Sequence, residues 1–307
     1  MKKQKIICIT GPTASGKTAL AIKLAQHLDT EIISADSMQI YKNLSIGTAK
    51  PTENEQKQIK HHMLDICEIS ENFSVADYVE KAGSIIKVLS KKNKIPIIAG
   101  GTGLYIDSLL NNTDFKQAET TGKEREKLEI LLEEKGSIHL HNLLKEIDEN
   151  AAKQIHPNNT GKIIRALEIY YETGKTKTQY TENSKRESPH DPIIIGLNTE
   201  REILYERINK RVDEMIQNGL IKEAEWLYKN NPSKTVLQAI GYKELKPYID
   251  NEMPLEEAAE ILKMQTRRYA KRQLTWFNKN PQIQWLDFMK NDLFEKAVKI
   301  IKGKINT

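Results

Sequence analysis

The segment Gly11-Pro12-Thr13-Ala14-Ser15-Gly16-Lys17-Thr18 constrains this chain more than any other stretch of its sequence. It fits the pattern Gly, any four residues, Gly-Lys-Ser/Thr. It lies between an apolar run at 5–10 that reads as a buried strand and an amphipathic stretch at 19–27 that reads as a helix. Strand, glycine loop and helix in that order open a doubly wound α/β sheet. Chemistry accounts for the residue types. Glycines let successive backbone N–H groups wrap a pyrophosphate at a helix N-terminus, Lys17 neutralises its charge, and Thr18 offers a hydroxyl to a magnesium ion. The loop alone does not say which compound carries the pyrophosphate.

Further short, β-branched runs at 31–34, 95–99 and 193–197 read as strands of the same sheet, and the distance to the last implies an insertion. Between 113 and 189 the pattern changes to charged, Leu/Ile-periodic segments at 124–134 and 138–146, followed by a polar tail at 176–190 that reads as a linker. The expected organisation is therefore a first core part at 1–112, an inserted helical domain at 113–189, and core completion with basic C-terminal helices at 190–307. A chain of 307 residues has room for one large α/β domain and a smaller helical one. After Leu197 the pattern is almost wholly helical. Thr199 with Glu202 three residues on predicts a capping box for a helix running to Asn218-Gly219.

Charged residues are 29% of the chain, hydrophobics 38%, and no apolar run approaches the ~20 residues a membrane helix needs. The N-terminal lysines lead straight into Ile6-Ile7-Cys8-Ile9 and the glycine loop, which is a poor secretory signal, so a cytoplasmic protein is expected; a monomer with no membrane partner is the accompanying expectation. Cys8 and Cys67 have no metal-ligand spacing and are expected as buried thiols. His61-His62 point to different sides of any regular element and read as structural. Trp226, Trp276 and Trp285 read as packing residues. The net charge of +5 and pI near 8.8 suit an RNA partner, and equally suit lysine-rich enzymes without one.

A nucleotide hydrolase or kinase usually ends a second buried strand in an Asp that holds magnesium. Here the strand at 95–99 runs into Gly100-Gly101-Thr102-Gly103-Leu104-Tyr105, with no acid. The candidate acid is Asp36, in Ser34-Ala35-Asp36-Ser37-Met38-Gln39-Ile40-Tyr41. It follows the second strand directly, at the carboxyl edge where ligands of open α/β sheets bind. The same placement suits an Asx turn or a helix cap.

The blocks GPTASGKT, SADSMQIY, IGTAKP (46–51), HHMLDI (61–66), GGTGLY, HPNNTGKIIRALE (156–168), VLQAIGYKE (236–244) and YAKRQLTWF (269–277) resemble, in this order, the tRNA dimethylallyltransferase family of bacteria. They cover nearly the whole chain. The resemblance implies a P-loop NTPase-like parallel sheet core carrying an inserted helical domain. It also implies an activity: transfer of a dimethylallyl group from dimethylallyl pyrophosphate to the N6 amine of the adenosine 3′ of the anticodon, in tRNAs reading codons that begin with U. Two stretches depart from the family's pattern: Gly161-Lys162-Ile163 stands where some members are more polar, and 176–190 matches nothing.

Such a displacement builds positive charge on the prenyl group and negative charge on the leaving oxygens, so electrostatics must carry most of the catalysis. Lys17, Thr18 and Mg2+ are placed to stabilise the leaving group, and the resemblance assigns Arg211 a bidentate contact to it, with Arg207 one turn away. The adenine amine needs a carboxylate to orient it and take its proton, a role the resemblance gives to Asp36. Thr102 matches a position near the adenine and suits a helix cap equally well.

The base must leave its stack, with Ser37, Met38 and Gln39 as candidates to hold it. The anticodon arm is expected to meet Arg125 and Gly161, Lys162, Ile163, Ile164 and Arg165 of the insertion. On the core it is expected to meet Gln238, Ala239, Ile240, Gly241, Tyr242 and Lys243, and a basic helix at 255–277. In that helix Lys263, Arg267 and Lys271, and Arg268 with Arg272, form rows opposite Leu255, Ala259, Leu262 and Tyr269. The rows fit phosphate contact or a solvated face. Prenylation of free AMP or ADP, a P-loop kinase, and a non-catalytic RNA-binding protein are the competing functions.

Overall fold

The structure, a computed structural model, describes residues 3–111, 113, 122–183 and 188–305. Strands β1 (Gln4–Thr10), β2 (Ile32–Ser34), β3 (His61–His62), β4 (Ile97–Gly100), β5 (His190–Asn198) and β6 (Gln284–Asp287) form one sheet in the order β3-β2-β4-β1-β5-β6. Every pairing is parallel. The continuous apolar run of β1 follows from this position, because a central parallel strand is covered on both faces. Ile6 and Cys8 pack with Ile33, Ile98 and Ile194 on one face. Ile7 and Ile9 pack with Ile32, Ile97, Ile193 and Ile195 on the other. Each fully buried isoleucine contributes roughly 1.5–3 kcal/mol. Thr10 is level with Gly100 of β4 and Gly196 of β5, so the loops leaving these three strands emerge together at one edge.

Two strands escaped the sequence pattern. β3 has two residues and no apolar alternation; it is held by pairing with β2 and by His62 Nε2, 2.6 Å from Glu31 Oε2. β6 corrects the expectation that everything after Leu197 is helical: Trp285 and Ile283 cover Gly196 so closely that a Cβ there would stand 2.5 Å from Ile283. The predicted capping box at Thr199 does not form. The helix is Arg201–Gln217, with Glu200 at its N-cap and no side-chain cap bond. Asn198 is still paired with Asp287 in the ladder, and the turn therefore ends one residue later than the pattern implies.

The chain divides into two compact units, 1–110 with 188–307, and 111–187. The second is inserted between β4 and β5 and is helical. Its longest helix, Lys123–Ile147, breaks at Gly136 (φ 78°, ψ 172°), where the two periodic segments meet. Leu128, Leu140, Leu144, Ile163, Ile164 and Leu167 form its core. The expected linker at 176–190 is instead a short helix, Lys177–Asn183, followed by the start of β5, and 184–187 lie outside the described residues. That helix is fastened by Asp148, which accepts from Thr178 N at 2.8 Å and Thr178 Oγ1 at 2.6 Å. Among the described residues no helix is long and apolar enough to cross a membrane. Cys8 and Cys67 are buried free thiols.

Candidate active site

The phosphate loop joins β1 to the helix Lys17–His27. Ala14 (φ 62°) and Gly16 (φ 78°) take left-handed conformations that turn consecutive N–H groups to one side. Pro12 O braces the loop, accepting from Ser15 Oγ at 2.8 Å and Lys17 Nζ at 2.6 Å. Thr13 to Thr18 line a polar cavity of about 440 Å³; Gly11 and Pro12 shape the loop behind it. Gly11 has no room for a side chain: at φ 144° a Cβ would stand 2.4 Å from Leu197 O. Burial, then the nearby Arg211 guanidinium, pull the Lys17 ammonium down to about 7, with Asp36 opposing. A cation so depressed gains from an arriving anion.

Asp36 lies in the turn after β2, at the carboxyl edge expected for it. Its Oδ1 accepts from Met38 N at 2.9 Å and Gln39 N at 3.3 Å, which makes an Asx turn; only one oxygen is used, and the residue also lines the cavity. The Asx turn therefore does not take Asp36 out of the cavity wall. Gln39 lines the first cavity beside Asp36, but its amide already has partners. Its amide is committed inside the protein, Nε2 donating to Thr48 O and Ala49 O at 3.1 and 3.2 Å while Oε1 accepts from Ser34 Oγ at 3.0 Å. Thr102 lines neither cavity of the site. Its Oγ1 accepts from Ser37 N at 3.0 Å and its carbonyl accepts from Tyr105 N at 3.0 Å, so it fastens the Asp36 turn and starts the next helix.

A second cavity, about 350 Å³, adjoins the first, and the two share Asp36, Arg211 and Tyr269. Its wall is largely apolar, with Met38, Ile208, Val212, Met215 and Leu262. Arg207 also reaches the phosphate loop, donating from Nε to Ala14 O at 3.0 Å. Ser37, Met38 and residues 238–242 line the second cavity; Lys243 is exposed and bonds Gln238. Tyr242 is not a surface contact: its ring is fully buried and its hydroxyl donates to Glu223 Oε1 at 2.7 Å. Glu223 escaped the sequence reading. Its carboxylate also accepts from Ser45 N, Ile46 N and Gly47 N at 2.8–3.1 Å, holding the loop that carries Gly47, Thr48 and Ala49 into the cavity wall.

The basic helix spans Leu255–Phe277, as expected, but its rows are unequal. Lys263 is paired with Asp213 at 2.7 Å and Glu260 at 2.9 Å, and Arg267 donates to Asn209 Oδ1 at 2.6 Å. Neither is a ready phosphate ligand. Arg268, Lys271 and Arg272 are exposed, and Tyr269 faces the cavities rather than the core. In the inserted unit, the side chains of Ile163 and Ile164 lie in the core, because the apolar face of Thr160–Thr173 turns both inward. Gly161 and Lys162 are exposed. Arg125 and Arg165 share the carboxylate of Glu168, which is only 2% exposed, at 3.4 and 2.8 Å. Burial raises that carboxyl, and the two arginines bring it below its ordinary value. Of the tryptophans, Trp285 packs as expected, whereas Trp226 and Trp276 are 36% and 40% exposed; Trp276 lies on Gly103 and donates to Asp107 Oδ2 at 2.6 Å.

The family model for IPP transferase matches residues 39–280. The chain belongs to the IPP transferase family. Among relatives of this IPP transferase family member, the tRNA dimethylallyltransferase of Alkaliphilus metalliredigens is 46% identical over 99% of both chains. That of Bacillus subtilis is 48% identical over 93% of this chain and 91% of its own. The tRNA isopentenylpyrophosphate transferase structure from Bacillus halodurans is 41% identical, covers 99% of this chain and 97% of its own, and superposes with a TM-score of 0.74. A eukaryotic dimethylallyltransferase captured acting on tRNA is 31% identical, covering 99% of this chain and 80% of its own, with a TM-score of 0.84. A P-loop NTPase-like core with an inserted helical unit is thus the fold of this IPP transferase family member.

Thr18 and Asp36 are hard oxygen donors on one cavity wall, beside Lys17. Among the described residues no cluster of three or more His, Cys, Asp or Glu is placed to hold a metal. Magnesium is suited to this donor set, since it is commonly held by one or two protein oxygens and the substrate's phosphates.

Proposed function

We propose that the chain transfers a dimethylallyl group from dimethylallyl pyrophosphate to the N6 amine of the adenosine 3′ of the anticodon in tRNA. The observation that carries this reading is the pair of adjoining cavities, one built on the phosphate loop and one largely apolar, with Asp36 and Arg211 in the wall of both. The names of the relatives, tRNA dimethylallyltransferases of bacteria, support it.

In this reading the pyrophosphate lies against the loop, where Lys17 and Arg211 stabilise the charge that grows as the C1–O bond breaks. The base enters the second cavity beside Asp36. As its nitrogen bonds to C1, Asp36 accepts the amine proton and later passes it to solvent. Thr18 would hold a magnesium ion, which would supply further neutralisation of the leaving group. The apolar wall excludes water, which would otherwise capture the allylic cation.

Labelled dimethylallyl pyrophosphate incubated with tRNA, AMP or a kinase acceptor tests the proposal: label is expected in tRNA alone, and label in AMP instead would overturn it. The exposed cations of the long helix extend it to RNA binding. Arg268→Ala with Lys271→Ala is expected to weaken tRNA binding and to lower the slope of log affinity against log salt by about 0.7–0.9 for each lost phosphate contact. Lys263→Ala is expected to leave the slope alone, since Lys263 is already paired with Asp213 and Glu260. Filter binding across a salt series reads both, and an unchanged slope in the double variant makes this face merely solvated.

A further inference from the structure

The two halves of the proposed site sit on different parts of the sheet edge, the phosphate loop after β1 and the Asp36 turn after β2. One buried side chain joins them. Gln273, on the helix Leu255–Phe277, is 6% exposed. Its Oε1 accepts from Thr13 N of the phosphate loop at 2.8 Å, and its Nε2 donates to Gly101 O at 2.9 Å. The next residue, Thr102, accepts from Ser37 N, beside Asp36. Thr102 N in turn donates to Ala35 O at 3.1 Å. A chain of bonds therefore runs from the phosphate loop through Gln273 to Gly101, Thr102 and the turn that carries Asp36.

The bridge has little play. A Cβ on Gly101 would stand 2.1 Å from Gln273 Nε2, and one on Gly100 would stand 2.2 Å from Ala35 O, so both glycines are present because backbone and amide approach this closely. The amide orientation is set as well, since reversing it would place a donor against Thr13 N–H and an acceptor against Gly101 O.

We infer that Gln273 is a positioning residue that sets the separation between the leaving-group loop and the proton acceptor Asp36. This rests on the transfer reaction proposed above. A displacement needs attacking nitrogen, carbon and leaving oxygen held at near-attack geometry, and a misplacement of about 1 Å can cost ~100-fold in rate. Losing the bridge should then slow chemistry while leaving each substrate its own contacts.

The test compares wild type with Gln273→Met, which keeps length but makes neither bond, and Gln273→Glu, which still accepts from Thr13 N but, ionised, cannot donate to Gly101 O. Single-turnover transfer at saturating dimethylallyl pyrophosphate and tRNA is expected to fall roughly 10- to 100-fold in both. Inorganic pyrophosphate affinity in Gln273→Met and the KM for tRNA in both are expected to stay within about threefold, as the loop and the basic face keep their own contacts. The carboxylate of Gln273→Glu, in the wall of the phosphate cavity, is expected to weaken pyrophosphate binding by charge repulsion. A rate within about threefold of wild type in folded protein overturns the inference. So does a parallel loss of pyrophosphate and tRNA binding, which marks a purely structural role. If Gln273→Met does not fold, Gln273→Glu decides by its transfer rate and its KM for tRNA. Absence of transfer by the wild type overturns the reaction itself, a result distinct from normal transfer by the variants.

Discussion

Asp36→Asn is expected to lower the single-turnover rate of transfer by roughly 10²–10⁴ while tRNA affinity changes little. The substitution is discriminating because Oδ1 already serves a structural purpose. It accepts from Met38 N and Gln39 N, and an asparagine Oδ1 accepts the same bonds, so the Asx turn survives. What asparagine cannot do is take a proton from the adenine amine. The measurement is a quench-flow time course with saturating tRNA and prenyl donor, on protein whose circular dichroism matches wild type. A rate within about threefold of wild type would remove Asp36 from the mechanism and leave it a turn residue.

Lys17→Ala is expected to abolish detectable pyrophosphate binding and turnover together, a loss on the order of 10²–10³ or more, because the same ammonium neutralises ground state and leaving group. A pH signature accompanies it. In the free protein, burial and Arg211 hold Lys17 down to about 7, and a bound anion favours the charged form and raises it. Lys17's contribution to binding is thus fully present below about 7 and is lost as pH rises through the higher bound value. Binding at pH 8 therefore takes up a proton at Lys17. Calorimetry in two buffers of different ionisation enthalpy reads that uptake, and Lys17→Met should lose it. Normal affinity for dimethylallyl pyrophosphate in Lys17→Ala would detach the loop from this substrate.

Local pattern carried much of this protein. The phosphate loop, the central strand that precedes it, the helix that follows, and the change of periodicity that marks the inserted unit are all readable because each depends on residues near in sequence. Asp36 was placed at the sheet edge by its position after a β-branched run. The bounds of the helix Leu255–Phe277 likewise follow from its own periodicity.

What a side chain meets across the fold was not readable. Ile163 and Ile164 resemble neighbours of a basic segment in the sequence, and only packing shows that both face a core. Lys263 and Arg268 are both cations on one helix, yet Asp213 on another helix takes the first and leaves the second exposed. Gln39 and Tyr242 sit in segments that suggested RNA contact and line the cavities, and only the fold shows that their polar groups also have internal partners: backbone carbonyls at 48 and 49, and Glu223. Gln273 gave no local signal at all, since its two partners are 260 and 172 residues away. Periodicity and turn chemistry act over a few residues, so the sequence by itself determined the loop, the strands that flank it and the insertion. Which polar groups are consumed within the fold and which remain for a substrate depends on contacts between distant segments, and only the tertiary structure decided that.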